Sequence, residues 1–109
     1  MSGSSNDGGI PSINPSNSED SCETLVINTN LSSPQAAVIQ NLSVGDFLSI
    51  QAASDQGPVQ AIDSNGAVAG SIMTREQIRL LNCIIAGTEY EAEILHINNG
   101  QCNVIIRAV

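Results

Sequence analysis

The sequence predicts an α+β fold: a small, mostly antiparallel and strongly curved sheet or partly open β-barrel. One main helix near 75–86 and one short helix near 34–41 would pack on it. Three observations carry this expectation. Two Asn-Gly pairs, Asn65-Gly66 and Asn99-Gly100, each stand between short apolar runs, the pattern of a β-hairpin. The segment "TREQIRLLNCIIAG" spaces its apolar residues as a helix does, between a start and a stop signal. The hydrophobic fraction of 41% includes one Phe, one Tyr and no Trp, so the core must be assembled from Ile, Leu, Val and Ala.

The 109 residues suffice for one domain. Residues 1–21 are Ser, Gly, Asn, Pro and acid with two isolated Ile, and are expected to form a disordered acidic tail. A single globular domain over 22–109 follows. It opens with "CETLVINTN", where Leu25, Val26 and Ile27 predict a strand. In "SSPQAAVIQNL", Ser33 is a suitable N-cap and Pro34 a suitable first helical residue. Gly45-Asp46 then turns the chain into a strand beginning Phe47, Leu48, Ile50.

Around "DSNGA", a two-residue type I′ turn on Asn65-Gly66 would set Val59 opposite Ile72 and Ala61 opposite Gly70. Thr74 and Gln77 predict a capping box, with Met73 packing on Ile78 as a hydrophobic staple. Ile78, Leu81 and Ile85, flanked by Leu80 and Ile84, form the predicted apolar stripe, and Gly87 its left-handed stop. In "EYEAEILHINNGQCNVIIRAV", a three-residue loop at Asn98-Asn99-Gly100 would place Glu91 opposite Arg107 and His96 opposite Cys102. It would also group Ala92, Ile94, Val104 and Ile106 on one face, leaving Leu95, Ile97 and Ile105 on the other.

The net charge of −8 arises from 11 acidic and 3 basic side chains, Arg75, Arg79 and Arg107. Duplex nucleic acid and anionic membranes are bound through many Lys and Arg, so both are disfavoured as partners. No run approaches the length of a membrane span, and the N-terminus has neither the basic nor the apolar region of a secretory signal. A cytoplasmic, reducing setting is therefore expected. Cys22, Cys83 and Cys102 do not resemble a disulfide framework, and Cys83 and Cys102 are expected to meet as two core thiols. In that setting the "NLS" sequons at Asn30 and Asn41 have no role.

Candidate chemistry is thin. His96 is the sole histidine, and pairing it with Cys102 still lacks an orienting carboxylate and an oxyanion site. Cys22, Cys83, Cys102 and His96 show none of the short ligand spacings of a zinc site. Asp46, Asp55 and Asp63 fall at turns, where such residues satisfy nearby backbone amides. No catalytic residue, metal or cofactor is predicted. Arg75 and Arg79, one helical turn apart, make a small basic spot beside Glu76.

The order of elements resembles the HIRAN domain, over about residues 43–107. The matching positions are Gly45, Asp46, Ala61, Ile62, Gly66, Val68, Gly70, Ile72, Leu80, Leu81, Gly87 and Glu93. The resemblance implies a small β-barrel and, for some members of that family, binding of single-stranded DNA ends. The family's paired aromatics and its "N-x-Y-D-x-N-A" stretch have no counterpart here, where "SDQGPVQAI" stands instead. The expectation is accordingly a non-enzymatic, acidic interaction module whose partner is another protein. Its contact surface would be Leu95, Ile97 and Ile105 with Glu91 and Glu93, or an edge strand. The alternatives are a HIRAN-like binder of single-stranded DNA ends, or an acidic mimic occupying a basic nucleic-acid-binding site.

Overall fold

The computed structural model describes residues 22–109, so the expected disordered tail lies outside the described residues. Residues 22–24 are helical. There follow β1 (Ile27–Asn30), α1 (Ala36–Ile39), β2 (Phe47–Ala52), β3 (Val59–Ile62), β4 (Val68–Ser71), α2 (Gln77–Ile85), β5 (Tyr90–Asn98) and β6 (Gln101–Ala108). All six strands form one antiparallel sheet in the order β1-β6-β5-β2-β3-β4. The α+β class holds, while the two expected helices become three short helical pieces.

The sheet curls until its edges touch. Just past β1, Ser32 forms an antiparallel bridge with Ser71 at the end of β4, with N–H···O distances of 2.8 Å in both directions. Gln35 N–H donates to Ala69 O at 2.8 Å, covering the outer edge of β4 and fixing the start of α1. At this seam a Cβ on Gly70 would lie 2.9 Å from Leu31 Cβ and 3.0 Å from Ser32 O, so glycine is needed there for close backbone approach. Leu48, Val59, Ile72, Leu80, Ile94, Cys102, Val104 and Ile106 fill the enclosed core.

The two hairpins exchange the turn types expected of them. Asn99 (φ 52°) and Gly100 (φ 86°) both adopt positive φ, and Asn98 pairs with Gln101, as in a two-residue I′ turn. At the first hairpin only Gly66 has positive φ, and Gly66 N–H donates to Asp63 O at 3.0 Å. Asp63 Oδ1 decides this geometry by accepting from Asn65 N–H at 2.9 Å and Ala67 N–H at 2.8 Å. A register shift between Ala61 and Ile62 absorbs the longer turn, and Ala61 still faces Gly70 as predicted.

In β5 a shift between Ile94 and His96 does the equivalent work. It restores Glu91 to Arg107 and keeps Ala92, Ile94, Val104 and Ile106 buried together. The register predicted for that half is right, but a bulge at Leu95 sets it, and the loop does not.

Two predicted helix starts differ. Ser33 has φ 48° and does not cap α1, whose N-cap is Gln35. Thr74 Oγ1 accepts from Glu76 N–H at 3.1 Å within a turn preceding α2, and the helix begins at Gln77 without a side-chain cap. Helix α2 is also rotated from the predicted stripe. Leu80 and Cys83 face the core, while Ile78 is 73% and Ile85 54% exposed. With Met73 58% exposed, the expected staple is absent. The stop is as predicted: Gly87 (φ 109°) ends α2 with Thr88 N–H to Cys83 O at 2.9 Å and Gly87 N–H to Ile84 O at 3.0 Å, a Schellman pattern.

The inward face of α2 also carries a covalent link. Cys83 forms a disulfide with Cys22, and Cys102 is a buried free thiol. This corrects the expectation of unpaired cysteines and of Cys83 as a free core thiol. No short spacing betrays the bond, because its partners lie at a sequence separation of 61.

Candidate functional site: an acid-rimmed groove

Strand β2 alternates outward Phe47, Ser49 and Gln51 with buried Leu48 and Ile50. Its outward residues form the floor of an open groove of about 860 Å³. Cross-strand pairing sets Ser49 between Ile62 on β3 and Glu91 on β5, and sets Phe47 beside Glu93. One wall is Ile62, Asp63 and Ser64, held by the Asp63 turn. Opposite it stand Ile84 and Gly87–Glu89, positioned by the Schellman turn, together with Tyr90 and Val109. Phe47, the chain's one phenylalanine, is 55% exposed there.

Asp63, Glu89 and Glu91 line the groove, and no Lys or Arg does. The nearest cation on the sheet, Arg107, lies 3.8 Å from Glu93. Both groups of that pair are substantially exposed, so it contributes little energy. The groove is thus an apolar floor within a negative rim.

The predicted contact residues do not form one surface. Ile105 pairs with Glu93 and both face outward, near Phe47. The shift at Leu95 changes the parity of β5, so Ile97 pairs with buried Cys102 and packs against the core. His96 faces Asn103 and is exposed, on the opposite side of the sheet from the Cys102 thiol, so the expected Cys–His juxtaposition is not formed. Among the described residues no three His, Cys, Asp or Glu converge as metal ligands, and no helix is long and apolar enough to cross a membrane. Arg75 and Arg79 are exposed at the beginning and on the flank of α2, away from the groove lining.

Sequence reasoning missed Phe47, Ser49, Gln51, Ile62 and Glu89. The signal was present in "DFLSIQA": strict alternation after the turn sends Leu48 and Ile50 inward and therefore Phe47 outward.

Tyr90 links the groove to the disulfide. It is 2% exposed, and its hydroxyl donates to Cys22 O. Burial raises the Tyr90 phenol above its ordinary 10.0 and the Cys102 thiol above 9.0. Each group is neutral at lower pH and harder to ionise when folded, so its contribution is fully present below the unfolded pKa. It is lost as pH rises toward the folded pKa. Urea midpoints should therefore be level up to about pH 9 and fall above it. A thiol reagent at neutral pH should label Cys102 only as fast as the protein opens. Rapid native labelling would contradict this burial.

No family model, curated protein or solved structure matches the chain. By architecture the protein is a small disulfide-bonded α+β domain whose curled six-stranded sheet carries an acid-rimmed apolar groove.

Proposed function

We propose that this protein is a non-enzymatic interaction module. Its groove receives an apolar side chain from a partner protein, and its rim receives flanking Lys or Arg. The carrying observation is Phe47, 55% exposed on a groove lined by three carboxylates and no cation. Glu91, Glu93 and Ile105 from the predicted contact set border Phe47, and Leu95 supplies the bulge that sets their register. The HIRAN resemblance would direct single-stranded DNA to such a barrel, but a phosphate in this groove would meet three carboxylates and no cation. An acidic mimic would concentrate its acids on one face, whereas Asp46, Asp55 and Glu76 lie on three other segments.

The Cys22–Cys83 bond removes the cysteine argument for the cytoplasm and suits a compartment where disulfides persist.

Fluorescence anisotropy with a basic amphipathic peptide and with a short single-stranded DNA tests the reading. The peptide should bind, more weakly as salt rises, and binding should be lost in Phe47→Asp while the circular dichroism spectrum is kept. Sub-micromolar DNA binding that falls steeply with salt would overturn it.

A further inference from the structure

The outer face of α2 carries the charge that the groove lacks. Ile78, Asn82 and Ile85 recur at the spacing of one helical face and are all exposed, and Arg75 and Arg79 flank them. These two arginines are two of the three cations in the whole chain, and the third is beside Glu93. Among the described residues, Glu76, half-buried at the N-cap, is the one acid at this end. The result is a ridge of about 13 Å, apolar along its crest and positive at its N-terminal half.

The groove complements this ridge in both respects. It is apolar through Phe47 and Val109, which are 55% and 79% exposed, and negative through Asp63, Glu89 and Glu91. Of the seven large exposed hydrophobics among the described residues, four belong to ridge or groove: Ile78, Ile85, Phe47 and Val109. The two features also adjoin, because Ile84 and Gly87 at the end of α2 form part of the groove wall. A surface with a ridge beside its own complementary groove is self-complementary under a twofold axis.

Resting on the groove reading above, we infer that the occupant is a second copy of this chain. Two copies dock reciprocally, each laying the Ile78–Ile85 ridge into the other's groove, with Arg75 and Arg79 meeting the partner copy's acids. Each contact is made twice, which compensates for the modest size of a single ridge.

Sedimentation velocity over a wide concentration range tests this with the disulfide intact. The wild type should pass from monomer to dimer, and salt should shift it back. Arg75→Glu with Arg79→Glu, and separately Glu89→Arg with Glu91→Arg, should each weaken self-association by about tenfold or more. Mixing the two double variants should restore a heterodimer. Arg75, Arg79 and Glu89 are exposed and Glu91 is half-buried, and matching thermal melts establish that the folds are intact. A wild type that stays monomeric at the highest concentration, or double variants that dimerise as well as wild type, overturns the inference. If that monomer still binds the basic peptide in a Phe47-dependent way, the groove reading stands. If it binds no peptide, both readings fall together.

Discussion

Replacing Cys83 with Ser, or reducing the Cys22–Cys83 bond, is expected to destabilise the protein by about 4 kcal/mol. That is the loop-closure entropy of a cross-link at this sequence separation of 61. The bond joins the first described residue to α2 and spans β1 to β4, so the unlinked chain regains most of its freedom on unfolding. A folded part of this size has a total stability on the order of 5–15 kcal/mol, and the loss would be a large fraction of it. Urea unfolding with and without reductant measures the effect, with Cys102→Ala as the control for the remaining thiol. Midpoints that coincide would show that the linkage contributes nothing. Losing it should also loosen the hold on Tyr90, whose hydroxyl partner is the carbonyl of Cys22.

Gly70→Val carries the second large effect, expected at about 3 kcal/mol, toward the upper end for overpacking. The first added carbon already meets Leu31 Cβ at 2.9 Å and the Ser32 carbonyl at 3.0 Å. One of these neighbours is backbone and cannot rotate away. Relief requires the seam to open, which sacrifices the paired Ser32–Ser71 hydrogen bonds of 2.8 Å. Hydrogen exchange should then show Ser32 and Ser71 amides losing protection before those of β5 and β6. A Gly70→Val protein as stable as wild type would mean that the sheet edges do not meet there.

Much of this fold is legible in local sequence because local chemistry determines it. The Gly87 stop, the Gly45 turn and the pairing of Ala61 with Gly70 depend on neighbouring residues and φ preferences. The errors arise where a distant group or a single side-chain atom decides. Asp63 Oδ1 selects a longer turn than Asn-Gly alone implies, and a bulge at Leu95 sets the register assigned to the loop. Helical periodicity does not register that Cys83, on the inner side of α2, bonds to Cys22. A stripe of five apolar residues is wide enough to be read about either edge, and tertiary packing chose Leu80 and Cys83.

The groove was harder to see because its parts come from β2, β3, the α2–β5 turn and the C-terminal residue. Only the three-dimensional pairing of Ser49 with Ile62 and Glu91 unites them. The register with β6 places Glu91 and Glu93 on the face from which Phe47 also points outward.

The most direct test of that surface is an amide NMR titration of the oxidised protein with the basic amphipathic peptide. The groove reading predicts that Phe47, Ser49, Gln51, Glu89 and Glu91 shift together, with Ile62 on the facing strand. Shifts confined to β1 or to the outer face of α2, with those amides unmoved, would contradict it.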